Sequence, residues 1–305
     1  MIARRSQRAG LREIWVVWVL FGLATVAVFE TYWRIPPGEL WKVHNSGFVG
    51  GIGRAFVFVG FSPAVAAFGV LPIVTDRLED RRADLLAVLA AALCATVAFV
   101  QTPSHLDPKW SNTWPVVGVG LAVALTAWAT ARGRPERVRT SRAGDRARLV
   151  LGAVVLFFAA PYIAAELGFH LDGVPLLGWV FQTGKLAPEP GAGYMHATVH
   201  YGHHHGLDGL LLAATALLLS RLLGGIRRAA LRTLTAALLS VMLVYALTNL
   251  VNDLWIEQVV KRGWTDWQVP DVLFPKLSLA WGAMLLAAAA IYVVFFSRKA
   301  LLGRR

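Results

Sequence analysis

Residues 231–255 read LRTLTAALLSVMLVYALTNLVNDLW, and from Thr233 to Asn252 twenty residues pass without a charged side chain. At about 1.5 Å per residue, a helix of that length covers the roughly 30 Å of hydrocarbon in a bilayer. Seven further apolar blocks of similar length occur near 13–33, 47–74, 84–102, 113–131, 149–169, 197–220 and 277–297. The 305-residue chain is 56% hydrophobic and 16% charged, whereas soluble domains sit near one half and one quarter. Hydrocarbon offers no partner to an unpaired backbone group, so the blocks must be helices or the strands of a closed barrel. The ten-residue alternation of a barrel is absent. The expectation is an all-α polytopic transmembrane bundle of about eight spans, built as one integral-membrane domain over residues 1–305. The second block carries Arg54 and Pro63, so its limits are the least sharp.

Charge orients the bundle. The net charge is +12, yet the basic residues are not spread as nucleic-acid binding would require. They cluster at 4–12, 77–82, 132–148, 221–232 and 298–305, which together hold 22 of the 30 Lys and Arg. These are the two tails and every second loop of the eight-span arrangement. The positive-inside rule places them, and so both termini, in the cytoplasm. The loops near 34–46, 103–112, 170–195 and 256–276 then face outward. Arg4, Arg5 and Arg8 precede the first apolar block in the manner of a signal peptide. No small-residue cleavage site follows, so the block reads as a retained span. The Ala, Arg, Leu, Val and Gly bias is that of a GC-rich bacterial genome, which points to a plasma membrane. The partner implied is the lipid bilayer, with no nucleic acid. The single cysteine, Cys94, excludes an intramolecular disulfide and a multi-thiolate metal site.

The histidines carry the chemistry. Five of the eight lie in ten residues, His196-Ala-Thr-Val-His200-Tyr-Gly-His203-His204-His205, followed by Asp208. If the sixth helix begins near residue 197, His196, His200, His203, His204 and Asp208 share one face, and Gly202, Gly206 and Gly209 share the other. Two more polar stripes meet the same end. The fifth block ends in Tyr162, Glu166 and His170, and the seventh in Tyr245, Asn249, Asp253 and Glu257 with Asn252 beside them. His44 and His105 also fall in outward segments. Ionisable groups at a membrane face are costly unless paired, hydrated or bound to a cation.

A divalent transition metal, Zn, Fe or Cu, accounts for this density, because imidazole is the commonest nitrogen ligand for such ions. The candidate ligands are His196, His200, His203, His204, Asp208 and His170. Glu166 and Asp253 are the candidate general bases. Arg54 reads as a counter-charge to these acids or, second, as a substrate clamp. A hydrated polar cap with hydrogen-bonded imidazoles is the plainer alternative, and the better one for His44 or His105 taken alone.

His196-Ala-Thr-Val-His200 and His200-Tyr-Gly-His203-His204 resemble the HxxxH and HxxHH boxes of membrane desaturases and hydroxylases. The resemblance covers nine residues. Those families spread three boxes over separate segments on the cytoplasmic side, so neither their di-iron centre nor their fatty-acid substrate is carried over. No protease, phosphate-loop, dinucleotide or haem-attachment motif is present. Three functions remain open. The first is a membrane metalloenzyme acting by hydrolysis or oxidation on a lipid-phase or interfacial substrate. The second is a protein of metal uptake, sensing or delivery. The third is a b-type haem or non-catalytic membrane subunit, for which His44, His105 or His170 would supply a second haem ligand. The inner half of the sixth block, Leu210 to Leu219 interrupted only by Thr215, offers no polar path for transport.

Overall fold

The computed structural model describes residues 11–100, 107–132, 144–189 and 193–296. His105, the N-terminal arginines, most of the 132–148 loop and the cluster at 298–305 lie outside the described residues. Seven helices are long and apolar enough to cross a membrane, and the bent fifth block makes eight. In chain order they are α1 (Arg12–Arg34), α2 (Gly47–Val59) continued by α3 (Ser62–Leu78), and α4 (Arg81–Ala95) continued by the short α5 (Val97–Val100). Next come α6 (Thr113–Arg132), α7 (Asp145–Phe158) continued by α8 (Ala160–Glu166), and the single turn α9 (Leu177–Val180). A two-stranded antiparallel hairpin, β1 (Leu186–Pro188) and β2 (Met195–Ala197), leads into α10 (His205–Ser220), α11 (Ala229–Trp255) and α12 (Leu279–Ile291).

The α2–α3 span is the centre of the bundle. Of its most apolar window 78% is buried, against 11% for the last span, whose Leu285, Leu286 and Val293 face outward. Such an apolar exterior is what hydrocarbon demands, and it would be a liability in water. Tight core contacts run through Trp18, whose indole N–H donates to Thr126 Oγ1 at 3.1 Å.

Two ends are distinct. At one, Arg132 pairs with Asp80 at 3.0 Å, Arg221 with Asp145 at 3.1 Å and Arg228 with Asp84 at 3.0 Å. The described histidines all lie at the other end.

Proline sets the breaks. The second span is interrupted at Gly60 and Phe61, where Pro63 enters α3 at its first turn. The fifth bends by 55° between α7 and α8, where Pro161 occupies the first turn of α8. A proline there lacks the N–H that would continue the preceding helix. The block at 149–169 is therefore a bent pair, whereas the block at 47–74 remains one span, Gly47–Leu78, with a turn at Gly60 and Phe61.

A larger correction concerns the sixth span. The helix starts at His205, not near 197, so His196, His200, His203 and His204 share no helical face. Residues 195–197 pair with 186–188 as a strand, and the pairing continues through Thr198 N–H to Lys185 O (2.8 Å) and Val199 N–H to Thr183 O (3.0 Å). Gly202 then adopts φ +95°, open to glycine but strained for other residues. These long-range bonds outweigh the i, i+4 pattern, which the β-branched pair Thr198-Val199 favours only weakly.

Candidate metal centre

The run Thr198–His204 crosses the histidine end of the bundle as an extended strap. Gly202 N–H donates to Ala165 O at 3.0 Å, and His203 N–H donates to the Tyr32 hydroxyl at 3.0 Å. The helix that follows is seated by Asp253 of α11, whose Oδ2 accepts the Gly206 N–H at 2.5 Å. Gly206 also lets Tyr162 of α8 come close, since a Cβ at this position would clash with the ring.

This strap aims two imidazoles at one point. His200 Nδ1 lies 2.9 Å from Tyr201 O, and His204 Nε2 lies 2.8 Å from His200 O. A carbonyl only accepts, so each of these nitrogens carries the proton. The lone pairs are thereby left on His200 Nε2 and His204 Nδ1. The rings stack at 4.0 Å, and Trp41 also stacks on His200 at 5.6 Å. Burial pushes the His200 pKa down to about 3, and burial with the neighbouring His200 ring also depresses His204. Both shifts favour the neutral ring, the state a metal ligand requires.

The third donor comes from the turn beyond α11. There the chain widens into a π-helical turn, Ile256–Val260, a feature often found at functional sites. It carries Glu257, whose Oε1 lies 3.4 Å from His204 Nδ1. One donor atom each from His200, His204 and Glu257 lies within 4.8 Å of the others, and all three side chains are buried. Tetrahedral ligands about 2.1 Å from an ion lie roughly 3.4 Å apart. The His204–Glu257 pair already has that separation.

A cavity of about 290 Å³ opens beside the three donors, lined also by Arg54, Asp208, Asp253, Glu189 and Lys261. Lys261 Nζ pairs with Glu189 Oε2 at 2.7 Å and donates to Thr198 O at 3.0 Å, tying the end of the π turn to the hairpin.

Three of the remaining candidates, His203, Asp208 and Glu166, form a second cluster. His203 is clamped between carboxylates, Nδ1 to Glu166 Oε2 at 3.1 Å and Nε2 to Asp208 Oδ2 at 3.0 Å. Burial opposes its charge, but Asp208 and Glu166 outweigh that and lift its pKa to about 9. Asp208 also accepts from Ser62 Oγ, and Thr31 Oγ1 donates to the Glu166 carbonyl. Of the two candidate bases, Asp253 lines the cavity, while Glu166 faces His203. His196 meets His200 edge-on at 5.7 Å without joining the donor group, and His170 stacks on Tyr201 at 4.3 Å. His205 is partly exposed, with Nδ1 at 3.5 Å from Asp208. His44 is bound to Asp107 at 2.6 Å on an exposed loop. Arg54 is buried, with its guanidinium over the Tyr32 ring at 5.3 Å.

Glu257 stood at the foot of the α11 stripe in the sequence and was not among the candidate ligands. Its signal was the four-residue spacing Asn249, Asp253, Glu257, which continues to Lys261. Lys261 and Glu189 were not singled out, since neither belongs to a histidine pattern. No family model, no curated protein and no solved structure matches the chain.

Proposed function

We propose that this protein is a polytopic membrane metalloenzyme that holds one divalent transition ion, Zn, Fe or Cu, on His200, His204 and Glu257. The observation that carries the reading is the pair of pinned tautomers. Each imidazole spends its N–H on a backbone carbonyl, His204 turns its remaining lone pair toward the buried Glu257, and a donor atom of His200 lies within 4.8 Å of both. Outer hydrogen bonds of this kind are what orient metal-bound histidines. Two histidines and a carboxylate are the donor set of hydrolytic zinc sites and of non-haem iron oxygenases, both of which keep positions open for substrate.

An ion there would supply Lewis acidity toward water or redox chemistry toward dioxygen. The protein's own groups do the rest. Asp253 keeps one oxygen on the Gly206 N–H and has the other for a proton at the cavity wall. Glu166 is a positioning residue acting through His203. Lys261 holds the hairpin over the site. The basic clusters at the opposite end support placing that end, and both termini, in the cytoplasm and the metal centre on the extracytoplasmic face of a plasma membrane.

Metal uptake is less well supported, because below Asp208 the helix α10 is apolar and the Thr215 hydroxyl is spent on Leu211 O at 2.8 Å. Haem with His44 or His170 as second ligand is less well supported, because His44 is bound to Asp107 at 2.6 Å and His170 stacks on Tyr201 at 4.3 Å; His105 lies outside the described residues.

The test is elemental analysis of untagged protein purified without chelator, followed by assays of ester and amide hydrolysis and of oxygen uptake. About one equivalent of a single metal, lost in His200→Ala and His204→Ala and kept in His44→Ala, is the expected outcome. Metal content unchanged by both ligand variants refutes the assignment.

A further inference from the structure

Next to the metal cavity lies a crevice of about 180 Å³ between α3, α11 and α12. Its walls are almost wholly apolar, with Val65 from α3, Val241 from α11 and Trp281 from α12. Phe61, Leu273 and Phe274 line both spaces, so these side chains form a partition shared by a polar chamber and an apolar one. The polar atom of Tyr245 is already used, its hydroxyl donating to Leu273 O at 3.1 Å. The indole N–H of Trp281 is different: it is buried and has no hydrogen-bond partner among the described residues.

Water is a poor occupant for such a space, because it needs several polar partners and finds one donor. Hydrocarbon suits the walls, and the crevice is built from helices that stand in hydrocarbon. A wholly apolar guest would leave the histidine cavity unused, and a wholly polar one would leave the crevice unused. The match is an amphiphile. A buried N–H donor is matched by a carbonyl oxygen at the junction of chain and head.

We infer that the crevice takes the acyl chain of a bilayer lipid, with its ester or amide carbonyl at the Trp281 N–H and its polar head reaching past Phe61 and Phe274 into the cavity of His200, His204 and Glu257. This rests on the metalloenzyme reading for what happens to the head, while the chain site stands on its own walls.

The experiment places the protein in nanodiscs of diether phosphatidylcholine, which has no acyl carbonyl, and adds a monoacylglycerol with a diazirine on its chain. After irradiation, labelled peptides are mapped and metal is measured in the same samples. Saturable labelling of α3 and α11 is expected, competed by unlabelled monoacylglycerol. Val241→Trp should weaken it about tenfold with metal content unchanged. Val65→Phe, on α3, serves if the first variant folds poorly. Leu286→Trp, on the outward face of α12, should have no effect. Trp281→Phe should weaken the acyl probe more than its alkyl-ether counterpart.

Labelling that does not saturate, spreads evenly over outward-facing residues, or survives both wall substitutions overturns the proposal. Equal loss of acyl and ether probes in Trp281→Phe overturns the carbonyl contact. Saturable crevice labelling in protein that holds no metal supports the chain site and removes the metalloenzyme reading, so the two fail separately.

Discussion

Lys261 is a cation with a side chain 1% exposed, paired at 2.7 Å with a Glu189 side chain that is 11% exposed. Replacing it by Met keeps the length of the side chain and removes the charge. Glu189 is then buried with no cation beside it, and the Thr198 carbonyl loses its 3.0 Å donor. Breaking a buried pair from one side costs about 3–5 kcal/mol, whereas replacing both partners with apolar residues is often neutral or stabilising. The loss falls on the attachment of the hairpin to the π turn. It should appear in the amide exchange of Thr198 and Val199, whose N–H groups bond to Lys185 O and Thr183 O. With a factor of ten for each 1.4 kcal/mol, Lys261→Met should speed exchange at these amides roughly 100- to 4,000-fold. The double variant Lys261→Met/Glu189→Leu should recover most of the protection. Hydrogen exchange read by mass spectrometry on detergent-solubilised protein measures both. Unchanged protection in the single variant, or a double variant as labile as the single, would refute the claim that this pair fastens the strap.

Other consequences can be measured on the same preparation. Glu257→Gln should weaken metal binding by at least the roughly 10–100-fold that losing an outer-shell partner costs, read by competition with a chelator. Asp253→Asn should keep the metal, since its carboxylate seats Gly206; loss of metal in Asp253→Asn would move it into the ligand set. Gly206→Ala should destabilise the protein by about 1–3 kcal/mol through overpacking against Tyr162. Gly224→Ala, where a new Cβ meets nothing within 4 Å, should be close to neutral. Partial burial of Asp172 opposes its charge, but the Thr183 hydroxyl at 2.6 Å and the Gly184 N–H at 2.7 Å hold its carboxyl below the usual carboxylate range. A depressed folded-state value stabilises above the unfolded pKa of about 3.9 and is lost as pH falls through the folded value. Protection of the Gly184 amide should therefore weaken below pH about 4, and Asp172→Asn should remove most of that pH dependence.

The spans were legible because membrane crossing is a local property: each apolar run reports its own fate, as residues 231–255 do. The bends were half legible. Pro161 and Pro63 sat in plain view, but whether a proline kinks a helix or opens a new one depends on what packs against it. The histidine run was misread as a helix because its i, i+4 spacing is real. The conformation is decided by residues 183–188 and by Gly202, and that pairing lies beyond any window of helical periodicity. Even so, the gathering of polar groups at one end of the bundle followed from residue types, and His200 and His204, two of the three residues that could hold a metal ion, were among the candidates. Glu257 reaches them from more than fifty residues away through a turn that breaks the α-helical register. A stripe can suggest such a donor, and only tertiary packing selects it.

The two imidazoles are pinned by carbonyls of their own five-residue segment, while the carboxylate rides on another element. The centre is thus assembled from two bodies, a self-orienting pair of nitrogens and an oxygen carried by a spanning helix. A helix shifts or tilts with the thickness of its bilayer, whereas the strap's internal bonds do not depend on it. Changing lipid chain length would therefore load the contact between Glu257 and the two imidazoles, against the ties of Gly206 to Asp253 and of Thr198 to Lys261. An ion held on these three donors would then report bilayer thickness through its retention.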